Sequence, residues 1–420
     1  MFLERQKMKR KRKIKLKYRN IIILFVIMIG IIIGIKLLSS HDKPVALADL
    51  LPQYVGKNES ALEDLQKYNV SFDKDYEFND TYDEGQIISL NENNKEIKVV
   101  ISKGQIKDDT YREYKVNELG NVPIMMYHGI VDTDENKYTG GNVDKDGYNR
   151  TSNAFRKDLE FFYENNYRMI RLNDYVNGII DVEMGKSPIV LTFDDGNKNN
   201  FHVLGRKSDG SLDIDPECAI GILEDFKRKH PDMHVTATFF VMNNLFNQKE
   251  YDEEIIKWLV DNGYDVGNHT TIHADFTTIS TSKTKEVVGK MYQKLEQIIP
   301  GQYVKIVALP FGSPYKKTHA NYPYILSGTY NDISYETEAA LRVGWEAEVS
   351  PFNTNFDKTF LKRCRAYDNN GKEFDIEMVF KNLEKNRYIS DGDKDKIVIR
   401  KKDESKLNKE IENVYMYEEN

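Results

Sequence analysis

Three short stretches of this 420-residue chain carry the residue types of hydrolytic chemistry: Met126-Tyr127-His128-Gly129, Thr192-Phe193-Asp194-Asp195-Gly196 and His269-Thr270-Thr271-Ile272-His273. Two histidines four apart, joined by a carboxylate, can hold a divalent metal, and a second carboxylate beside them can act as a base. A helical turn would set both imidazoles on one face. Adjacent acids at a strand end repel each other unless a cation or a proton intervenes. The plainer reading of Asp194-Asp195-Gly196 alone is a capping acid followed by a turn glycine. Thr270 stands where a zinc protease of the His-Glu-x-x-His type would carry its glutamate, so that chemistry is excluded.

Each stretch directly follows an apolar run. From residue 122 onward strands alternate with helices: strands at 122–127, 189–193, 235–241, 264–267 and 303–309, helices at 152–165, 216–230, 250–262 and 283–299. Such alternation predicts a parallel α/β sheet or barrel. Ligands in those folds bind at the carboxyl ends of the strands. His128, Asp194, Asp195, His269 and Pro310-Phe311-Gly312 all fall at such ends.

Taken in order, these motifs resemble the polysaccharide deacetylase family, the NodB-homology domain of carbohydrate esterase family 4. Thr192-Phe193-Asp194-Asp195-Gly196 is similar to its first motif and His269-Thr270-Thr271-Ile272-His273 to its second; Ala237-Thr238-Phe239-Phe240-Val241 and Gly267-Asn268 also look like the family. The resemblance covers about 122–398 and implies an α/β fold, a distorted (β/α) barrel, for a catalytic domain at 122–400. It implies that Asp195, His269 and His273 bind a divalent metal, usually zinc, and that Asp194 is the general base. It also implies that the Phe311 backbone N–H donates to the oxyanion.

There are two departures from the family. Its third-motif arginine, which orients the catalytic aspartate, falls at Ala308, and Arg363 in Leu361-Lys362-Arg363-Cys364-Arg365 is the candidate replacement. The usual C-terminal Leu-x-His is absent. In a barrel the first strand lies beside the last, so His128 can take that place as general acid. That arrangement resembles permuted deacetylases of exported poly-N-acetylglucosamine. Trp345 is either an acetyl-pocket residue or a core tryptophan. His202, His230 and His234 read as surface residues.

The activity implied is metal-dependent N-deacetylation of N-acetylglucosamine units in a wall or surface polysaccharide, peptidoglycan first. Poly-N-acetylglucosamine, an O-acetyl ester, or a non-catalytic wall-binding role are the alternatives.

The net charge of −7 hides an asymmetry. Residues 1–20 hold ten Lys/Arg and one acid, leaving −16 on the rest. Nucleic acid is therefore not expected as a partner of the body of the chain. The apolar run 21–38, preceded by that basic segment, predicts a single-pass signal-anchor. Residues 1–20 would be cytoplasmic and the remainder extracellular. A cleaved signal peptide ending near Ala46-Leu47-Ala48 is the alternative. Residues 48–104 read as a small α+β module with a helix capped by Ser60 and strands at 85–90 and 97–102. Pro52-Gln53-Tyr54-Val55-Gly56, Gly85-Gln86-Ile87-Ile88 and Ser102-Lys103-Gly104 resemble a PASTA domain, which implies a wall-facing module. Residues 105–121 read as a linker and 401–420 as a charged helix or disordered tail. Asp391-Gly392-Asp393-Lys394-Asp395 is too short for an EF-hand loop and reads as a surface turn. Cys218 and Cys364 do not make a disulfide framework; two unpaired thiols are expected.

Overall fold

A computed structural model describes residues 46–93, 96–132 and 143–419. The basic segment and the apolar run that would anchor the chain lie outside these residues. Among the described residues no helix is long and apolar enough to cross a membrane. The chain divides into two compact units between Ile106 and Lys107.

In the first unit, strands β1 (Ser71–Glu77), β2 (Ile87–Asn93) and β3 (Glu96–Ser102) form a sheet of order β1-β3-β2. β1 runs parallel to β3 and β2 antiparallel to it. Alternation along β3 buries Ile97, Val99 and Ile101 against Leu51, Leu62 and Leu65. The helix here is a 3-10 helix, Glu59–Tyr68, and Asn58 caps it by accepting from the Ser60 N–H at 3.0 Å. Ser60 is therefore the capped residue and not the cap.

The second unit is built on an eight-stranded sheet. Its strands are β4 (Ile124–Tyr127), β5 (Tyr167–Met169), β6 (Ser187–Phe193), β7 (Thr238–Val241), β8 (Asp265–Asn268), β9 (Ile306–Ala308), β10 (Ala339–Leu341) and β11 (Cys364–Arg365). The order is β10-β9-β8-β7-β6-β4-β11, with β5 on the start of β6, and every pairing is parallel. The last strand thus returns to the first, as Cys364 and Arg365 pair with Met125 and Met126. The same segment also meets the far edge. Leu361 bridges to Leu341, with Leu361 N–H donating to Ala340 O and Arg342 N–H to Leu361 O, each 2.8 Å. The sheet curls until residues 361–365 touch both of its ends.

Both faces of these strands are buried, and residues alternate between them with period two. Met125, Tyr127, Leu191, Phe193, Phe239, Val241 and Cys364 join the outer core beneath the helices. That core includes Phe155, Leu159 and Phe162 of the helix Ser152–Glu164, spaced to share one helix face. Ile124, Val190, Phe240, Ile306, Ala308 and Leu361 face the interior of the curl. His128, Asp194 and Arg363 are in phase with that second set, so the strand period itself aims them inward at the carboxyl-end rim.

The unit is larger than the span 122–400. Residues 105–121 are not a linker: Asp108–Tyr114 is helical, and Val116, Glu118 and Leu119 are buried. Nor is 401–420 a loose tail. Lys401–Lys406 forms a 3-10 helix, and β13 (Val414–Tyr417) pairs in parallel with β12 (Ile397–Arg400). Apolar Tyr417 drives this, since it is buried and its hydroxyl donates to Val116 O at 2.7 Å. The turn at 391–395 is anchored and not superficial, because Asp391 is buried and its Oδ2 lies 3.2 Å from Lys396 Nζ. Cys218 and Cys364 are buried free thiols.

Candidate active site

The carboxyl ends of β4, β6, β8 and β9 deliver His128, Asp194 with Asp195, His269 with His273, and Phe311 to one rim. Asp195 Oδ1 lies 3.2 Å from His269 Nε2 and 3.4 Å from His273 Nε2. One potential ligand atom from each of the three residues lies within 4.8 Å of the other two. His269 is buried, while Asp195 and His273 are part-exposed, so the cluster opens to one side.

The histidine pair does not sit on a helical turn. After β8 the chain enters a tight loop in which Thr270 has φ 62° and His273 φ 50°. Asn268 holds that loop, its Oδ1 accepting from the Thr270 N–H at 2.8 Å and its Nδ2 donating to Val288 O at 3.0 Å. Asp195 and Phe311 also have positive φ, 76° and 58°. Four left-handed non-glycine residues at one rim are backbone strain gathered where side chains must converge. Gly196 follows in the same region at φ 59°, and a Cβ there would lie 2.4 Å from Leu245 O.

The donor set suits a divalent cation. His269 Nδ1 lies 2.8 Å from Ala308 O, which leaves the Nε2 lone pair facing Asp195. Buried His269 Nε2 and Asp195 Oδ1 both lack a hydrogen-bond partner, so two acceptors confront each other across contact distance. A cation between them resolves that arrangement, and the carbonyl contact on the other ring nitrogen fixes the imidazole for it. Ala308, where the family arginine would fall, thus contributes only its backbone carbonyl.

Arg363 takes the orienting role from another strand. It donates from Nη1 to Asp194 Oδ1 at 2.8 Å and from Nη2 to Oδ2 at 2.7 Å. Thr192 Oγ1 accepts from Nη1 at 3.2 Å and Arg342 O from Nε at 2.9 Å. Both partners of the pair are buried. Burial alone would raise the Asp194 pKa, but the Arg363 charge and hydrogen bonds, with His269, outweigh it and hold the carboxyl well below its usual range. The clamp therefore favours the ionised form of Asp194.

His128 Nε2 stands 4.0 Å from Asp194 Oδ2, and its buried Nδ1 has no partner. Burial lowers its pKa, and the Asp194 and Asp195 charges only partly offset this. The Tyr148 ring lies edge-on to it, centroids 5.3 Å apart. Phe311 packs edge-on against His273 at 4.4 Å. In its turn Gly312 N–H bonds Leu309 O and Ser313 N–H bonds Pro310 O, and the Phe311 N–H is left out. Trp345 is no core residue: it is half exposed, with Arg365 over its ring. His202 is tied to Asp215 at 2.7 Å and only part-exposed, unlike the free surface residue expected. Neither Tyr148 nor the Thr192–Arg363 contact was read from sequence; the alternation of Arg363 and Arg365 along one strand was the available signal.

A curled parallel α/β sheet that gathers paired aspartates and two histidines at its carboxyl rim is able to hold a divalent cation beside a carboxylate base. Residues 219–323, a quarter of the chain, match the family described as Polysaccharide deacetylase. The match includes His269, His273 and Phe311, while Asp194, Asp195 and His128 lie upstream of it. A Geobacillus stearothermophilus protein described as an uncharacterized 30.6 kDa protein in the fumA 3′ region is 29% identical over 127 residues. Those residues are 30% of this chain and 39% of that protein, so the chain spans about two fifths of this curated relative. Among solved structures, Streptococcus pyogenes deacetylase PplD in complex with acetate is 16% identical, TM-score 0.45, over 64% of this chain and 98% of that one. A de-N-acetylase from Aggregatibacter actinomycetemcomitans is 12% identical, TM-score 0.40, over 63% and 99%.

Proposed function

We propose that the protein removes N-acetyl groups from N-acetylglucosamine units of an extracellular polysaccharide, peptidoglycan first, releasing acetate. The observation that carries this reading is the arrangement around Asp194. A buried carboxylate is clamped by Arg363 on one side, faces His128 at 4.0 Å, and is joined in sequence to the Asp195–His269–His273 cluster.

Asp195, His269 and His273 would hold a divalent metal, zinc on the family resemblance, which would supply Lewis acidity toward the acetyl carbonyl and toward water. Asp194 accepts the proton of the attacking water. Its clamp sacrifices basicity for a fixed, ionised acceptor. The Phe311 N–H, unused within its own turn, is available to the oxyanion that develops on the acetyl oxygen. His128 passes a proton to the departing amine. Its lowered pKa makes it a readier donor once protonated. Arg363 orients Asp194 and touches no reacting atom.

The basic segment 1–20 and apolar run 21–38 support a single-pass membrane anchor with the catalytic unit outside the cell. The PASTA-like motifs of 48–104 support a wall-facing module and hence peptidoglycan. The placement of the acid on the first strand favours poly-N-acetylglucosamine as a second reading.

The test is acetate release by the zinc-supplemented protein from peptidoglycan, poly-N-acetylglucosamine oligomers and an O-acetylated xylan. Release from an N-acetyl substrate that Asp194→Asn and His128→Asn each reduce by about 100-fold or more is expected. Release from the ester alone would replace the amide reading with an esterase, and no release from a metal-loaded protein would leave a binding module.

A further inference from the structure

Beyond the acetyl-cleaving groups, the rim holds a cation that has no counter-charge among the described residues. Arg365 follows Arg363 by two residues on the strand segment that closes the curl. Alternate residues share a face, so Arg365 lies about 7 Å nearer the mouth than the guanidinium beneath Asp194. Its own guanidinium is 4.7 Å from the Trp345 ring centre and 5.7 Å from that of Tyr148. Those rings are 51% and 50% exposed. Tyr148 is the ring that stands against His128. Arg365 Nε is buried without a hydrogen-bond partner, and among the described residues no carboxylate pairs with this side chain. Its seat is close-fitting, because a Cβ on Gly147, at φ 76°, would lie 3.0 Å from Arg365 Cδ.

An unsatisfied guanidinium donor is costly unless something else meets it. Its planar fork matches a carboxylate or phosphate, and the flanking aromatic faces can pack on the C–H face of a pyranose. In a chain with net charge −7, such a cation at the mouth selects an anion. We infer that Arg365, Tyr148 and Trp345 form a subsite for an oxyanion borne by the sugar next to the one that loses its acetyl group. The subsite deepens the deacetylase reading and rests on it for the identity of the neighbouring sugar. A carboxylate ether on the ring and a phosphate ester present the same chemistry.

Binding can be read without turnover. The chain has two tryptophans. Trp345 is at the subsite, and Trp258 packs on Phe201 and Tyr264 in the outer core. Tryptophan fluorescence of the detergent-solubilised full chain would be titrated with three probes. These are N-acetylglucosaminyl-N-acetylmuramic acid, N,N′-diacetylchitobiose 1-phosphate and neutral N,N′-diacetylchitobiose. At least one acidic probe should bind about tenfold tighter than the neutral one, and Arg365→Gln should erase that difference while leaving chitobiose affinity unchanged. Arg365→Lys, which keeps the charge and serves as the folding control, should retain part of it. Whichever acidic probe shows the preference identifies the oxyanion. Equal affinities in the unaltered protein, or parallel weakening of all three probes by Arg365→Gln, would overturn the subsite. Discrimination without acetate release on any polymer would sink the deacetylase and leave the subsite standing. Acetate release without discrimination would do the reverse.

Discussion

Arg363 and Asp194 form a bidentate pair, 2.8 and 2.7 Å, sealed from solvent in the second unit. The arginine reaches its partner from the position just before β11, across β4, and it also donates to Thr192 Oγ1 and Arg342 O. A buried ion pair of this kind contributes orientation more reliably than stability, since desolvation offsets much of its attraction.

Arg363→Gln leaves Asp194 charged and unpaired, and should destabilise the unit by about 3–5 kcal/mol in urea denaturation. Arg363→Lys keeps a charge but loses the fork. It should fold, bind metal as before, and lose about 100-fold in kcat with little change in KM, the signature of a misaimed base. A Lys variant with full kcat would show that the fork does no positioning.

The Asp195–His269–His273 cluster should bind one equivalent of zinc, seen by calorimetry on chelator-treated protein. Asp195→Asn or His269→Ala should weaken binding by more than the roughly 10–100-fold that loss of a mere supporting contact costs. Chelation should also lower the Tm of the unaltered protein, because bound metal stabilises only the folded state. Undiminished zinc affinity in Asp195→Asn would remove that residue from the centre.

A second buried carboxylate makes a pH prediction. Asp158 takes two hydrogen bonds from Arg150, 2.9 and 2.6 Å, and one from the Tyr127 hydroxyl at 3.1 Å. Burial outweighs them and pushes its pKa up to about 6. A raised folded pKa favours the protonated form, so the associated stability is full below the unfolded value near 4 and is lost as pH rises through about 6. The carboxyl carbon resonance of Asp158 should titrate near 6, and Asp158→Asn should flatten the stability profile between pH 4 and 7. A midpoint at or below 4 would contradict this.

The C-terminal segment should be necessary for folding. Tyr417 is buried against Tyr111, ring centres 5.6 Å apart, and bonds Val116 O. Tyr417→Ala should cost about 3–5 kcal/mol, the range for truncating a large buried aromatic side chain, measured by urea denaturation. A change within about 0.5 kcal/mol would be the behaviour of a solvated tail.

Much of the sheet was legible because each buried strand is an apolar run ended by the residues it must present, as 189–193 is by Asp194 and Asp195. His128 was also reachable, since a parallel curl brings the last strand to the first. What was hidden was carried by sparse or charged sequence. β13 reads as Val-Tyr-Met-Tyr among acids and lysines, and its docking rests on partners distant in sequence: β12, the Tyr111 ring and the Val116 carbonyl. Helical spacing misled at His269 and His273, where a loop with two left-handed residues makes the same approach. Arg363 was visible as a candidate, but its bidentate contact depends on the bridge between Leu361 and Leu341, and composition cannot reveal that.

The return of β11 to β4 also sets an order on assembly. As the chain is made from its N-terminus, every residue of the Asp195–His269–His273 cluster has emerged by His273, while the aspartate beside it waits for a guanidinium 90 residues further on. A nascent or truncated chain can therefore gather the cluster before it can clamp the neighbouring carboxylate. That clamp forms only when the closing segment seats itself between the two edges of the sheet.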